Sequence, residues 1–297
     1  MNKNISHPVA HGGSLQSDFP VELLAQAQKI ITYLRGFHKI LVAFSGGVDS
    51  TLLLSLAEEA LPGRVLAVTA VSETMSQREM VEIKALVAQM GVNHRLVETQ
   101  DLSQAAFIAN TELRCYHCKL YRFKQLQELA HREGYDLILE GSNLDDLQQY
   151  RPGFKAIQEL GIASPLLQYG LTKQMVRSLA KERKLTVWDK PSAPCLVTRL
   201  PYNTPITADR LLQIDAGEEI LRAYFGEQAV FRLRVDDGEQ ARLEVDKNLW
   251  QQLLEDEALP ELVEQIKAVG FKTVVLDLEG FRSGSFDQQF NLNEARA

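Results

Sequence analysis

The stretch KILVAFSGGVDSTLLL, residues 39–54, joins an apolar run to a turn rich in serine and glycine and then to a second apolar run. The first run, 39–44, is typical of a strand that is buried on both faces. Glycines allow the turn to curl so that successive backbone N–H groups point at one anion, and the N-terminus of the following helix adds a positive dipole. The stretch therefore predicts an anion-binding loop at the carboxyl edge of a parallel sheet.

Apolar runs and amphipathic segments alternate along most of the chain. Predicted strands occupy 39–44, 64–72, 93–99 and 135–142. Predicted helices occupy 21–35, 50–61, 76–91, 118–134 and 172–185, the last with Thr172 as its N-cap. This alternation predicts an α/β fold, a doubly wound parallel sheet with helices on both faces.

The pattern changes after Pro201, where a helix, a hairpin, another helix and a strand follow each other. This order has too few strands to extend the first sheet, and it predicts a second, smaller α+β domain. We expect a flexible N-terminal segment at 1–20, a first domain at 21–202, the small domain at 203–285 and a polar tail at 286–297.

The composition of the chain limits which binding partners and which cellular compartment we expect. The net charge of −7 over 297 residues disfavours a nucleic-acid partner that is held by bulk electrostatics. No apolar run approaches the ~20 residues that cross a bilayer, and the N-terminal stretch lacks the apolar core of a signal peptide. Three cysteines, an odd number, do not form a disulfide framework, so we expect a reducing cytoplasm.

The turn after the first strand supplies Ser45, Gly46, Gly47, Asp49 and Ser50. The hydroxyls of the two serines can donate hydrogen bonds to the same anion as the backbone N–H groups. The lysine of a Walker loop, which reaches the β- and γ-phosphates, is missing from this turn. Transfer of a γ-phosphoryl group is therefore not the chemistry that the turn predicts.

SGGVDS, residues 45–50, resembles the pyrophosphate loop of the PP-loop ATP pyrophosphatase superfamily, whose fold is HUP-like. Its members use ATP to adenylate a carboxylate or carbonyl oxygen and release pyrophosphate. The resemblance implies that Asp49 holds Mg²⁺ on the departing pyrophosphate. Asp145 and Asp146, which follow the fourth strand, would add carboxylate ligands or form only a solvated acidic turn. Ser72, at the end of the second strand, is expected near the adenosine.

The cysteines are unevenly placed, with Cys115 and Cys118 in LRCYHCKLYRF at 113–123 and Cys195 in SAPC. A zinc site completed by His117, a disulfide between the first two, and three unrelated buried thiols are alternatives. We favour a 4Fe-4S cluster held by three thiolates. Such a cluster leaves one iron with an open position, which can bind a sulfide and deliver it to an adenylated acid.

Three further stretches resemble the LarE family, the PP-loop sulfur transferases of nickel-pincer cofactor synthesis. They are YRPGFKAIQELGIASPL at 150–166, PCLVTRLPY at 194–202 and GFRSG at 280–284. The resemblance implies a nucleotide substrate, pyridinium-3,5-biscarboxylic acid mononucleotide, whose carboxylates are adenylated and converted to thiocarboxylates. It also implies a homo-oligomer, a hexamer.

Family members differ in their source of sulfur. Some have only the cysteine that matches Cys195 and sacrifice its sulfur, which leaves dehydroalanine. This chain also carries Cys115 and Cys118 and is similar to the members in which a cluster delivers the sulfur. We favour the cluster, and consumption of Cys195 stays open.

The predicted hairpin indicates an anionic substrate, because strand alternation puts Arg232, Arg234 and Arg242 on one face. Three guanidiniums side by side repel unless an anion or carboxylates lie among them. The resemblance places the substrate phosphate at Arg232 and Arg234. The alternative is a solvated strand face with Glu244 as partner.

Two more residues are candidates for substrate binding. Arg199, four residues after Cys195, would lower a thiol pKa and contact AMP or the substrate phosphate, or else form a salt bridge to the acidic rim. Glu218 falls where the family has a carboxylate near its metal or sulfur site, and the alternative is an ordinary surface glutamate on a helix.

Other functions compete with sulfur transfer to a small acid. A tRNA thiolase of the PP-loop type also pairs the loop with three cysteines, but the acidic balance and the lack of further CxxC pairs argue against it. An amide synthetase that uses ammonia needs no cysteines. A metal or cofactor chaperone with a relict ATP loop is the alternative that is not an enzyme.

Overall fold

The computed structural model describes residues 19–148, 151–192, 194–236 and 239–282, together with Phe286. The predicted segments at 1–20 and 286–297 lie almost entirely outside these residues. Within the described residues, every helix is too short or too polar to cross a bilayer.

The first sheet consists of parallel strands in the order β3-β2-β1-β4. The strands are β1 (Ile40–Ala43), β2 (Val65–Val71), β3 (His94–Glu98) and β4 (Leu137–Leu139). In the centre, Val42 pairs with Ala67 on one side and with Leu139 on the other. β1 is buried on both faces, which explains its uninterrupted apolar sequence.

Helices cover both faces of this sheet. The helices of this part of the chain are α1 (Phe19–Leu34), α2 (Val48–Ala60), α3 (Gln77–Met90), α4 (Ala105–Ile108), α5 (Arg114–Glu133), α6 (Pro152–Glu159), α7 (Pro165–Gln168) and α8 (Lys173–Glu182). Val42 packs in the core formed with α1, α2, α3 and α8, whereas Leu41 packs in the core formed with α5 and α6. Neighbouring residues of β1 thus pack against helices on opposite faces of the sheet. The predicted α/β fold with a parallel sheet is confirmed.

Two boundaries differ from the prediction in ways that affect the site. α5 begins at Arg114, four residues before the predicted start, so that both Cys115 and Cys118 lie on the helix. β4 is shorter than predicted because the N–H of Glu140 donates to the carbonyl of Ala163 at 2.9 Å instead of continuing the pairing with β1.

The second sheet is smaller and mixed. It contains β5 (Phe231–Asp236), β6 (Gln240–Val245) and β7 (Thr273–Leu276), with β6 in the middle, antiparallel to β5 and parallel to β7. The helices of this part are α9 (Ala208–Phe225), α10 (Trp250–Glu255) and α11 (Leu259–Ala268). The core of this part also takes in Phe107 and Leu196. The segment that follows Cys195 is therefore packed against the second sheet.

Candidate functional site

The loop between β1 and α2 has the conformation that an anion site requires. Gly46 has a φ of 68°, and a Cβ at this position would lie 2.6 Å from Cγ1 of Ile83. The hydroxyls of Ser45 and Ser50 are 3.2 Å apart, and the N–H of Ser45 donates to Oγ of Ser50 at 3.3 Å. Gly47 is the N-cap of α2. Both predicted serines therefore lie at the positive end of this helix.

The predicted acidic residues meet at the same end of α2. The carboxylate of Asp49 accepts from Nδ2 of Asn143 at 2.9 Å and from Nζ of Lys173 at 2.5 Å. Asp145 accepts the backbone N–H of Lys173 at 2.9 Å, and Asp146 accepts that of Asn143 at 3.1 Å. Burial raises the pKa of Asp146, and the negative charge of Asp49 raises it further. The structure thus brings the three aspartates together.

Close packing fixes the distance between the two loops that carry these aspartates. A Cβ at Gly141 would lie 3.0 Å from the backbone nitrogen of Ser50 and 3.2 Å from the carbonyl carbon of Asp49. Only a residue without a side chain lets the loop after β4 approach the PP-loop so closely.

Two residues that bond Asp49, Asn143 and Lys173, were not predicted from the sequence. Asn143 is part of EGSNLDD, and its short amide beside the aspartates was an available signal. Lys173 comes from the start of α8, 124 residues from Asp49, and no local pattern connects the two. Its neighbour Thr172 is the predicted N-cap, and its hydroxyl accepts from the N–H of Met175 at 3.2 Å.

Ser72, at the end of β2, belongs to a buried polar network. Its hydroxyl donates to Oδ2 of Asp101 at 2.7 Å. The guanidinium of Arg122 donates through Nη2 to the hydroxyls of Ser72 and Thr74, both at 2.9 Å, and through Nε to Asp101 at 3.1 Å. The contact of Ser72 with the adenosine stays a prediction.

The three thiols interact electrostatically beside this network. Burial is the largest cause that raises the pKa of Cys118, to about 12. The cation of Arg122, one turn further along α5, opposes this shift, whereas the charges of Asp101, Cys195 and Cys115 add to it. Cys115 and Cys195 therefore lie close enough to Cys118 to interact with it electrostatically.

Thr74 connects the two segments that carry the cysteines. Its carbonyl accepts the N–H of Leu196 at 3.0 Å, and its hydroxyl accepts from Arg122 at 2.9 Å. Thr74 follows the carboxyl end of β2, and the PP-loop follows that of the adjacent strand β1. The thiols and the PP-loop thus belong to the same edge of the first sheet.

No disulfide joins Cys115 and Cys118. Among the described residues, no group of three or more His, Cys, Asp or Glu side chains is arranged to hold a single metal ion, and zinc with His117 stays an alternative. Thiolates on a four-iron cluster bind separate irons, so they need not converge on one point.

Arg199 forms a salt bridge, but not with the acidic rim at 145–146. Its Nε and Nη2 donate to the two carboxylate oxygens of Glu218 at 2.8 and 2.7 Å, and both side chains are buried. Nη1 of Arg199 also donates to the carbonyl of Cys195 at 3.1 Å, and Glu218 accepts the N–H of Leu233. This pair joins the Cys195 segment to α9 and to β5.

The arginines of the hairpin share one face as predicted, since Arg232 pairs with Glu244 and Arg234 with Arg242. This face is buried rather than solvated: Arg234 is 1% exposed and Glu244 0%. Nε of Arg234 donates to Glu244 at 2.8 Å, and Nη1 donates to the carbonyl of Thr198 at 2.6 Å. Glu244 is thus the partner that the alternative interpretation named.

Arg232 differs from its neighbours. Its Nε is buried and has no hydrogen-bond partner among the described residues, and its guanidinium lies 5.0 Å from the ring centroid of Phe281. The pKa of Arg232 is lowered to about 10, mainly by burial and also by the charges of Arg199 and Arg234. An anion beside this guanidinium would accept a hydrogen bond from Nε and would offset the unfavourable burial of the positive charge.

A cleft of about 650 Å³ opens in front of Arg232. Its walls come from α3, the 186–199 segment, α9 and β5, and Arg199, Glu218 and Phe281 contribute to the lining. The volume is in the range of sites for small molecules. The site thus combines a PP-loop with carboxylates, three thiols and a cleft that contains a buried cation.

Comparison with known proteins agrees with this geometry. Residues 20–150 match the PP-loop domain family. The chain is 34% identical over 265 residues to pyridinium-3,5-bisthiocarboxylic acid mononucleotide synthase of Lactiplantibacillus plantarum, and the match covers 88% of this chain and 94% of that protein.

Two further relatives define how far the similarity extends. An uncharacterized protein of Synechocystis sp. is 38% identical over 250 residues, 84% of this chain and 92% of its own. The likeness to argininosuccinate synthase of Pyrococcus furiosus covers only 51% of this chain and 40% of that protein, at 26% identity. Because the match to the bisthiocarboxylic acid synthase spans most of both chains, this chain belongs to the LarE family of ATP-using PP-loop enzymes.

Proposed function

We propose that this protein converts the carboxylates of pyridinium-3,5-biscarboxylic acid mononucleotide to thiocarboxylates at the expense of ATP. The observation that carries the proposal is the common edge of the first sheet. The PP-loop follows β1 there, and Thr74, which bonds Leu196 next to Cys195 and Arg122 on the helix of Cys118, follows the adjacent strand β2. The name of the Lactiplantibacillus plantarum relative, which this chain matches over 94% of its length, supports the choice of substrate.

The first step is adenylation of a substrate carboxylate. The loop residues Ser45, Gly46, Gly47 and Ser50 would bind the phosphates of ATP, and Ser72 would contact the adenosine. Asp49, with Asp145 and Asp146, would hold Mg²⁺. A carboxylate oxygen attacks the α-phosphorus, the bond to the β-phosphate oxygen breaks, and pyrophosphate leaves with its electron pair. The product is an acyl adenylate.

The substrate would lie in the cleft that α3, the 186–199 segment, α9 and β5 enclose. Arg232, which has no hydrogen-bond acceptor for its Nε among the described residues, is proposed to bind the substrate phosphate together with Arg234. Arg199 and Glu218 line the same cleft and hold the Cys195 segment beside it. In this proposal, residues 21–202 activate the carboxylate and residues 203–285 bind the phosphate of the substrate.

Cys115, Cys118 and Cys195 would hold a 4Fe-4S cluster. Two observations on these residues fit that group: the three thiols interact electrostatically, and the cation of Arg122 lies beside Cys118. When bound, the cluster would supply an open iron position for a sulfide. The chain itself contributes the ion pair of Arg122 with the buried Asp101, which fixes the helix that carries Cys118.

The exposure of Cys195 keeps a second route open. Its thiolate would attack the carbonyl carbon of the acyl adenylate, AMP would leave, and a thioester would form. Removal of the Cα proton then breaks the Cβ–S bond and leaves a thiocarboxylate and dehydroalanine. The proposal also includes a reducing cytoplasm, in agreement with the odd number of cysteines, and a homo-oligomer, a hexamer in the family.

Anaerobic purification followed by iron and sulfide analysis tests the source of sulfur. We expect about four irons per chain, their loss in Cys115→Ser, and repeated turnover with added sulfide. Asp49→Asn is the matched control, because it should keep the iron while it abolishes pyrophosphate release. An iron-free protein that makes thiocarboxylate while Cys195 loses H₂S by mass would contradict the cluster and favour the sacrificial route.

A further inference from the structure

A lysine lies at the PP-loop although the loop sequence contains none. Nζ of Lys173 is 2.5 Å from Oδ2 of Asp49. Asp49 is in the first turn of α2, so the ammonium lies at the end of the helix that receives the phosphates. In Walker loops a lysine of the loop itself reaches the β- and γ-phosphates.

The position of Lys173 is fixed while its ammonium stays accessible. It is the first residue of α8, after the N-cap Thr172, and its backbone N–H donates to Asp145 at 2.9 Å. The side chain is 33% exposed. Lys173 lies outside the stretch that matches the PP-loop domain family, 20–150.

The ammonium and Mg²⁺ compete for one carboxylate. Asp49 is the proposed Mg²⁺ ligand, and its Oδ2 is occupied by Lys173. The other rim carboxylates have their own partners, since Asp146 pairs with Arg151 at 3.0 Å and Asp145 accepts the backbone of Lys173. A cation displaced from Asp49 by Mg²⁺ would have the phosphates of the incoming nucleotide as its nearest new anion.

We propose that Lys173 is the pyrophosphate-binding cation of this site. It neutralises Asp49 while the site is empty, and its ammonium moves to the β- and γ-phosphate oxygens when Mg²⁺ and ATP bind. It then stabilises the negative charge that develops on the departing pyrophosphate. The proton stays on Nζ throughout, and no covalent bond to the lysine forms. The inference rests on the proposed function only in that ATP is cleaved to AMP and pyrophosphate.

Two binding measurements with opposite expected signs test this role. In Lys173→Met, calorimetry should show at least about tenfold weaker binding of magnesium pyrophosphate, because a charge-assisted hydrogen bond is lost. Mg²⁺ alone should bind more tightly than to the wild type, because Asp49 no longer has a competing cation. Lys173→Gln, which keeps a donor without the charge, should change both affinities in the same directions.

Lys267→Met is the matched control, since that lysine pairs with Glu264 at 2.9 Å on α11, in the second part of the chain. It should leave both affinities at the wild-type value. Unchanged pyrophosphate binding in both Lys173 variants would overturn the proposal. Weaker binding of Mg²⁺ alone would also overturn it, because a lysine that only braces the loop has that effect.

These measurements need neither the sulfur acceptor nor a sulfur source. A protein that makes no thiocarboxylate but shows the opposite changes in the two affinities would contradict the proposed function and keep the role of Lys173. Suppose instead that the protein makes thiocarboxylate and that both Lys173 variants bind magnesium pyrophosphate and Mg²⁺ as the wild type does. That result would support the proposed function and contradict the role of Lys173.

Discussion

The guanidinium of Arg199 and the carboxylate of Glu218 form a two-point ion pair in which both side chains are buried. Arg199 also holds the carbonyl of Cys195, and Glu218 holds the N–H of Leu233 at the second sheet. The pair therefore joins the segment of a proposed sulfur ligand to the strand of a proposed substrate arginine. Its geometry would link the proposed sulfur delivery to the proposed substrate binding.

Removal of one partner should destabilise the protein strongly. Glu218→Gln leaves the buried Arg199 without a counter-charge, and we expect the free energy of unfolding to fall by about 3–5 kcal/mol. The measurement is urea denaturation of the substrate-free protein. Glu227→Gln is the control, because the pair of Glu227 with Arg78 is exposed and should cost at most about 1 kcal/mol. Equal losses in the two variants would contradict the special role of the buried pair.

Removal of Arg232 should have the opposite effect on stability. Arg232→Met takes away a buried cation whose Nε has no partner among the described residues, so the substrate-free protein should gain about 1–3 kcal/mol. The same variant should lose the stabilisation that the phosphorylated substrate gives the wild type. Thermal unfolding with and without substrate measures both effects.

The pH dependence of this gain follows from the pKa of Arg232, which burial lowers to about 10. A base with a lowered pKa in the folded state destabilises the fold below that pKa, and the penalty disappears as pH rises above it. The gain should therefore be constant between about pH 6 and 9. Arg242→Met is the control and should destabilise, because Arg242 bonds Asp236 and Asp277. A loss of stability in Arg232→Met would contradict this account.

Local patterns predicted the framework of the fold and the conformation of the loop after β1. The apolar run of β1, the glycines of the loop and the N-cap Thr172 act within a few residues, and the structure follows them. The common face of Arg234 and Arg242 on the hairpin also follows from strand alternation.

Contacts between distant segments could not be predicted in this way. Two examples are the ion pair of Lys173 with Asp49 and that of Arg199 with Glu218. Both depend on how loops that follow different strands and helices meet in the fold. Arg122 is an intermediate case. Its position four residues after Cys118 on a predicted helix implied that the two share a face, whereas its partner Asp101 could not be inferred.

The thiols of the cluster-free protein should differ in reactivity. The pKa of Cys118 is raised from 9.0 to about 12, mainly by burial, so its thiolate population near pH 8 is about a thousandfold below that of an ordinary thiol. Cys115 and Cys195 are exposed. Iodoacetamide labelling followed by mass spectrometry should therefore modify Cys118 last by a wide margin. In urea the three should label at similar rates, and fast labelling of Cys118 in the folded protein would contradict its burial.

Gly46 and Gly63 offer a matched test of the PP-loop, because their φ values are 68° and 69°. An alanine at either position adopts a left-handed backbone at a cost of about 1–2 kcal/mol. Only at Gly46 does the new Cβ meet another side chain, Cγ1 of Ile83 at 2.6 Å, whereas nothing lies within 4 Å at Gly63. Gly46→Ala should therefore weaken ATP binding by at least about tenfold because the loop N–H groups are displaced, and Gly63→Ala should lower stability alone.

The double variant separates the clash from the backbone strain. Ile83→Ala removes Cγ1, so Gly46→Ala combined with it should recover part of the ATP affinity relative to Ile83→Ala alone. The strain that both glycine variants share would remain in the unfolding free energy. Should Gly46→Ala bind ATP as well as Gly63→Ala does, the contact with Ile83 does not shape the loop, and the anion site does not depend on the close approach of α3.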